Sequence, residues 1–492
     1  MEEKVGWSKA TIKELISRDG CFCDGDWIEK KDQNPNGKVR LIQLADIGDG
    51  LFKNKSDRFL TFERAKEINC TFLEEGDIIV ARMPEPIGRC CIFPLKGTGK
   101  HVTAVDVAII RFGNKFIFPK YFLYILNSPQ SRNYIEALQS GTTRKRISRI
   151  NLATIEFPIA PLPEQHAIVS KLEQLFSELD NGITNLKLAQ GQLKVYRQTV
   201  LKKAFEGELT RKWRDQQAKL PTAEELIEEI QRKRRKASRS PSKKIKVVKS
   251  INEAELATLL ELPEGWMWVK VDELCDVVRG GSPRPAGDPT YYGGEIPFLK
   301  VADLTHNDDV YLNGYKYTIK EAGLKKTRYV ERNTLLLSNS GATLGVPKIC
   351  SFKTTFNDGI AAFLDLIEES LLFHYYFWLS KTKELRTINQ GAAQPNLNTD
   401  IIANYPFPLC SLPEQQAIVQ QIETRLSVCD KLEQDVVENL EKAEALRQSI
   451  LKRAFEGKLL NERELEEVRS APGWAPAEVL LERINAEKAT AK

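Results

Sequence analysis

The residues able to do chemistry in this chain are cations and amides set beside glycine turns. In the first half they are Arg82, Arg89, Lys96, Lys100 and the run Arg144, Lys145, Arg146, which follows Gly141. In the second half they are Arg279, Arg284, Lys300, Asn339, Gln390, Gln394 and Asn396, the last three beside Gly391. Side chains of these types donate to phosphates and exchange hydrogen bonds with base edges, so the chemistry they offer is recognition. For any one of them the plain alternative is a solvated surface side chain. Clustering beside a turn favours Arg144–Arg146 and the 390–396 segment, which fall at equivalent places in the two halves.

Catalytic and metal chemistry find no such grouping. With only four histidines and no aligned carboxylate pair, no nucleophile or general base can be named. Gly97–Lys100 is no phosphate loop, because it lacks the first glycine and carries His101 where Ser or Thr is needed. The close cysteines, Cys21/Cys23 and Cys90/Cys91, have no metal-knuckle spacing, so the nine cysteines are expected to be free thiols and no metal is expected.

A repeat positions the candidates. Residues 157–210 align without a gap on residues 407–460, and 21 of the 54 positions are identical, too many for two unrelated segments. Each copy opens with Leu-Pro-Glu-Gln (162–165, 412–415), suited to a helix start, and closes with Ala-Phe-Glu-Gly (204–207, 454–457), suited to a glycine-capped end. Between them apolar residues recur every seven: Leu172, Leu179, Leu186, Leu193 and Val200, then Ile422, Cys429, Val436, Ala443 and Ile450. That period is a coiled-coil seam, and about 40 residues give a rod of roughly 60 Å. Two equal rods in one chain can pair with each other and act as a spacer.

The flanking segments repeat as well. Leu41–Leu44 leading to Ala45-Asp46-Ile47 corresponds to Ile296–Val301 leading to Ala302-Asp303-Leu304. Asp77–Val80 corresponds to Thr334–Leu337, Gly88 to Gly345, Pro119–Ile125 to Phe373–Leu379 and Gly141 to Gly391. Short helices predicted at Ala223–Lys233 and Ala477–Ile484 share one pattern. The order is module, rod, short helix, twice over, with short strands and helices mixed inside each module.

At 492 residues, 42% hydrophobic and 28% charged, the composition is that of a globular protein with room for several cores. No apolar run approaches 18 residues and no N-terminal signal pattern is present, so a cytoplasmic protein without membrane contact is expected. The net charge of +5 is local: residues 232–249 hold ten Lys/Arg and no acid, leaving 62 basic against 67 acidic residues elsewhere. This run could hold DNA by counterion release or serve as a solvated connector.

The paired Pro-Leu-Pro-Glu-Gln-type openings, the Ala-Phe-Glu-Gly endings, the Leu262-Pro-Glu-Gly-Trp266 start, Gly280–Leu304 and Ser338–Ile349 resemble the specificity subunit of type I DNA restriction-modification systems over essentially the whole length. The resemblance implies an α+β chain with two globular α/β-type target-recognition domains. Two long helices, paired as an antiparallel coiled coil, separate them. The expected boundaries are recognition domain 1–157, spacer 158–210, basic linker 211–262, recognition domain 263–407, spacer 408–460 and tail 461–492. Each recognition domain would read half of a split double-stranded DNA site. The expected DNA-binding residues are Arg82, Arg89, Lys100, Arg144, Lys145, Arg146, Arg284, Lys300, Asn339, Gln390, Gln394 and Asn396.

The resemblance also implies two modification (methyltransferase) subunits carrying S-adenosylmethionine, and optional restriction subunits using ATP and Mg. The rod ends at Lys202-Lys203 and Lys452-Arg453 look like family surface for the modification subunits. No cofactor and no catalytic residue is expected in this chain. Asp288-Pro-Thr-Tyr291 misses the Asp-Pro-Pro-Tyr of adenine methyltransferases at position 290. Val80–Cys91 (VARMPEPIGRCC) departs from the family's Gly-Ala-Thr pattern in the first module. The competing reading is a coiled-coil scaffold with two protein-binding heads, separated from the first by whether binding depends on DNA and weakens steeply with salt.

Overall fold

A computed structural model describes residues 5–83, 86–142, 144–237, 250–341, 343–388 and 397–489. Contacts divide the chain into two units, residues 1–187 with 437–492 and residues 188–436.

In the first unit the central strand Ile78–Ala81 is apolar at every position and buried at every position, as a strand covered on both faces must be. It lies between Cys90–Ile92 and Val107–Arg111, and Cys21–Asp24 completes the antiparallel sheet. A second sheet runs Arg58–Leu60, Val39–Ile42, His101–Thr103, its last pair parallel. Ser8–Thr11 and Glu156–Ile159 close a ribbon at the base.

The second unit repeats this plan in register. Thr334–Ser338 lies between Pro347–Cys350 and Ile360–Leu364, flanked by Asp276–Arg279, with Tyr311–Leu312 added parallel at the far edge. Its second sheet is Tyr317–Ile319, Tyr292–Leu299, Thr354–Phe356, Tyr329–Val330. The partners of Val80 (Ala108 and Cys90) and of Leu337 (Ala361 and Pro347) place residue 80 on 337 and residue 108 on 361. The expected match of Asp77–Val80 to Thr334–Leu337 therefore holds residue by residue.

One difference lies in the helical layer. Leu371–Thr387 is a single helix, whereas Pro119–Leu126 and Pro129–Ala137 are two. Asn127-Ser128-Pro129 makes the break: a proline disfavours helix at the residue before it, and Ser128 caps the new helix by accepting from the Ser131 amide at 3.3 Å.

Both rods form, Leu162–Phe205 and Leu412–Phe455, each of 44 residues, or about 66 Å at 1.5 Å per residue. All ten seam residues are buried or half-buried. Gly207 and Gly457 end the rods with φ of 73° and 70°, the left-handed cap conformation, as the Glu208 and Lys458 amides reach back to the carbonyls of Lys203 and Arg453. The rods run antiparallel inside each unit. In the first, Ile168, Leu172 and Phe176 share a core with Leu451, Ala454 and Phe455. In the second, Val200, Leu201, Ala204 and Phe205 share one with Ile418 and Ile422. Ion pairs fix the register: Asp180 with Arg447 in the first unit, and Arg197 with Asp430 (2.5 Å) and Glu433 (3.0 Å) in the second. The phenylalanine of each Ala-Phe-Glu-Gly seats a rod end, Phe455 against Tyr121 and Phe205 against Phe373 and Phe377.

The acid of each Leu-Pro-Glu-Gln is buried and serves as a long-range acceptor. Glu414 accepts from Thr210 Oγ1 (2.8 Å), Arg214 Nε (2.8 Å) and Trp266 Nε1 (2.9 Å). Glu164 accepts from Trp7 Nε1 (2.8 Å), Trp474 Nε1 (3.2 Å) and Arg469 Nε (3.3 Å). The short helices form as Ala223–Ala237 and Ala477–Ala489, each tied at its first residue to the glycine before a tryptophan, Gly265 or Gly6.

His374, enclosed in the second unit and stacked 4.2 Å from Phe407, gives a pH prediction. Burial depresses its pKa from 6.5 to about 3. Below pH 6.5 the unfolded chain takes up the proton first, so stability is full above that pH and falls toward pH 3, by about 1.4 kcal/mol per unit. Urea unfolding of the wild type and His374→Phe should agree in pH dependence above pH 7. At pH 4.5 the wild type should have lost roughly 2–3 kcal/mol more than the variant; equal losses would mean the imidazole is protonated in the folded chain.

Candidate nucleic-acid interface

In both modules the central strand leaves the sheet through a turn of the same construction. Ala81 and Gly88 close one turn: the Gly88 amide donates to the Ala81 carbonyl (2.8 Å), and the Ala81 amide to Arg89 (2.8 Å). Ser338 and Gly345 close the other by the same two bonds, at 2.8 Å and, to Val346, 3.0 Å. Gly88 and Gly345 have φ of 80° and 84°, and a Cβ on Gly88 would come within 2.6 Å of Ile135 Cδ1. Six residues separate the closing pair in each module, Arg82–Ile87 and Asn339–Leu344, and their sequences share nothing. The departure of Val80–Cys91 from the family pattern therefore leaves the backbone closure of the turn unaltered.

The first turn residue has the same backbone partners in both. Arg82 donates to Asp106 O and accepts from Ile147 N; Asn339 donates to Gly359 O and accepts from Leu397 N. Their side chains differ. The Arg82 guanidinium is buried, donating to Val105 O and Ile147 O and pairing with Asp24 at 3.4 Å. The Asn339 side chain is fully enclosed, and among the described residues neither amide atom has a hydrogen-bond partner. The carbonyl equivalent to Val105, that of Asp358, instead receives Arg279 Nε at 2.6 Å. Arg279 occupies the ladder position that Asp24 holds in the first module. One arginine braces this corner in each module, from different strands.

In the second module four segments converge here. Ser282 Oγ donates to Asp358 (2.6 Å), Arg284, largely exposed, lies 3.7 Å from the same carboxylate, and Ser340 Oγ approaches Gly359. Lys300 joins them, since the Leu299 carbonyl accepts from Asn357 N (2.9 Å) and Val301 touches Gly359. The Lys300 ammonium sits 3.5 Å over the Tyr317 ring, which holds it by a cation–π contact. The structure thus brings Arg284, Lys300 and Asn339 together; Gln390, Gln394 and Asn396 lie outside the described residues.

In the first module Arg144, Lys145 and Arg146 are exposed on a short finger, closed by paired bonds between Ser140 and Arg146 at 2.8 and 2.9 Å. The finger adjoins Arg82 through Ile147. Arg89 is a brace: its guanidinium donates to Ile47 O (2.9 Å), Leu44 O (3.0 Å) and Pro86 O (3.3 Å). Lys100 is exposed at the opposite end of the strand His101–Thr103 from the Arg82 corner, apart from the finger, and Lys96 is exposed in the preceding loop. Of the basic run 232–249, the helix carries Arg232–Lys236, where Arg234 donates to Asp272 O at 2.6 Å; residues 238–249 lie outside the described residues.

Sequence reasoning passed over two features. Trp27, 73% exposed, stands three residues from Asp24 on the rim of the first module. Asp358, in an Asn-Asp-Gly turn signal, gathers the second. The shared acids Asp46 and Asp303, read only as repeat markers, are buried and fold the loops after them. Asp46 accepts from the amides of Gln43, Lys55 and Ser56, and Asp303 from those of Lys300 and Lys316. Among the described residues no cluster of three His, Cys, Asp or Glu could hold a metal, and no helix is long and apolar enough to cross a membrane.

The family model for the type I restriction modification DNA specificity domain matches residues 4–188 and again 263–442. The chain is 25% identical over 386 residues to the type I restriction enzyme StySPI specificity subunit of Salmonella potsdam, spanning 76% of this chain and 73% of that one. It is 27% identical over 381 residues to the EcoBI specificity subunit of Escherichia coli, spanning 75% and 72%. Among solved structures it is similar in fold to the HsdS subunit from Thermoanaerobacter tengcongensis, with TM-score 0.55 and 18% identity over 93% of this chain and 99% of that one. A chain from a structure of type I R-M complex assembly gives TM-score 0.64 and 19% identity over 93% and 100%.

Proposed function

The chain belongs to the type I restriction-modification DNA specificity family, as a specificity subunit that is itself non-catalytic, and we propose that each module reads one half of a split DNA site through the face built around its six-residue turn. The observation that carries this reading is the pair of turns: same closure, same length, different residues. A scaffold that fixes a backbone while leaving its side chains free to differ is what two readers of different sequences need. Base edges are recognised by donors and acceptors on such loops, and neighbouring cations hold the phosphates.

Arg144, Lys145 and Arg146 make the first module's DNA contacts, and Arg284 and Lys300 the second's, joined by Gln390, Gln394 and Asn396. Lys100 adds a phosphate contact away from the turn. Arg82, Arg89 and Asn339 act behind this surface. The recognition domains are residues 1–157 and 263–407, spaced by 158–210 and 408–460, with the linker 211–262 and tail 461–492 completing the repeat. Two readers on one spacer gain affinity because the second half-site binds intramolecularly. The subunit works within a type I complex, in which two modification subunits bring S-adenosylmethionine and methylate the site. Restriction subunits, where present, bring ATP and Mg.

A modified-base map of DNA from cells expressing this chain with its candidate methyltransferase partner, against the partner alone, tests the reading. The expected result is a split motif methylated only when both chains are present. If an active partner leaves no motif, the protein-scaffold reading takes its place.

A further inference from the structure

We propose that Arg132 and Arg386 are positioning residues, one per module, each holding its reading turn in shape and so setting the specificity of one half-site. The proposal rests on the reading above and adds residues that touch no DNA. Arg132 stands on the helix Pro129–Ala137 and donates through a terminal guanidinium nitrogen to the Ile87 carbonyl at 2.8 Å. Arg386 stands on the helix Leu371–Thr387 and donates through Nε to the Leu344 carbonyl at 2.9 Å. Ile87 and Leu344 are the last turn residues, each just before the left-handed glycine. The two arginines are 254 positions apart, the offset that also relates Pro119 to Phe373.

That carbonyl is where a turn with no shared side chains most needs an outside partner. The bonds of Gly88 and Gly345 tie the closing end to the sheet, and the six residues between differ completely. A guanidinium anchored on the helical layer grips the main chain and is indifferent to the side chains the turn carries. Other contacts join it at both turns: Ile135 packs against Gly88, and Thr382 Oγ1 donates to the Gly345 carbonyl at 2.7 Å. Arg132 is further tied to Asn127 Oδ1 (2.6 Å) and Asp49 (2.5 Å), whereas Arg386 is otherwise exposed. Arg386 is therefore the cleaner site for mutation.

The test uses the complex of the full chain with its methyltransferase partner, on a panel of DNAs carrying single-base changes in one half-site or the other. Arg386→Ala should lower discrimination within one half-site about tenfold, the scale of a charge-assisted hydrogen bond, and leave the other half unchanged. Arg132→Ala should relax the opposite half. Arg386→Lys, which keeps one donor, should restore part of the discrimination, and it replaces the alanine variant if thermal melting shows that variant unfolded. Unchanged discrimination, or an equal loss in both halves accompanied by a lowered melting temperature, overturns the proposal. A wild-type complex that methylates no split motif defeats the underlying reading instead.

Discussion

Replacing Glu414 with alanine should destabilise the chain by about 3–5 kcal/mol, the cost of leaving a buried cation without its counter-charge. The carboxylate is buried, and its removal strands Arg214, the Trp266 indole and the Thr210 hydroxyl together. Against a typical total of about 5–15 kcal/mol, that is a large share of what holds the second unit folded. Urea unfolding followed by tryptophan fluorescence reads the effect directly. Glu164→Ala should cost less, because Arg469 is farther away at 3.3 Å and partly exposed, so water can take over the missing partner. A loss under about 1 kcal/mol for Glu414→Ala would mean that water replaces this carboxylate too.

Lengthening both rods by one heptad, between Leu188 and Ala189 and between Glu438 and Asn439, should change the spacer of the target and neither half-site sequence. Seven residues add about 10.5 Å, or roughly three base pairs. A whole heptad keeps the seam in phase, so the rods still pair. The same base-modification map gives the answer: the expected motif has the original two halves with a spacer longer by about three. An unchanged spacer would show that something other than the rods sets the separation. Altered half-sites would show that the rods take part in reading.

The features legible in the sequence were those that local grammar or repetition could carry. The 250-residue repeat located both rods, and a seven-residue period named ten seam residues, while Ile168, Phe176, Ile418 and Leu451 join the same cores outside that series. The strands followed from continuous apolar runs such as Ile78–Ala81. The broken helix at Pro129 also obeys a local rule, a proline placed two residues after Asn127. What escaped was long-range. Glu164 and Glu414 read as acids in a first helical turn, since their partners stand between 148 and 310 positions away for the indoles and guanidiniums of Trp266, Arg214, Trp7, Arg469 and Trp474. Arg82 and Arg89 read as surface cations because nothing local shows that the carbonyls of residues 44, 47, 105 and 147 converge on them. Asn339 reads as an exposed amide near a glycine turn, but its enclosure is a property of four segments meeting.

The corner brace has a consequence for how the two modules can be re-lettered. Arg82 with Asp24 in one module, and Arg279 with Asn339 in the other, solve one problem with the charge moved between the two strands that flank a shared third, Val107–Arg111 or Ile360–Leu364. The two positions are therefore epistatic. Exchanging either alone gives a corner with two arginines or with none, and only the double exchange restores a single guanidinium over the carbonyl. Grafting a turn from one module into the other must carry its strand-edge residue with it, so the smallest transferable unit of address is a pair of strands and not a loop.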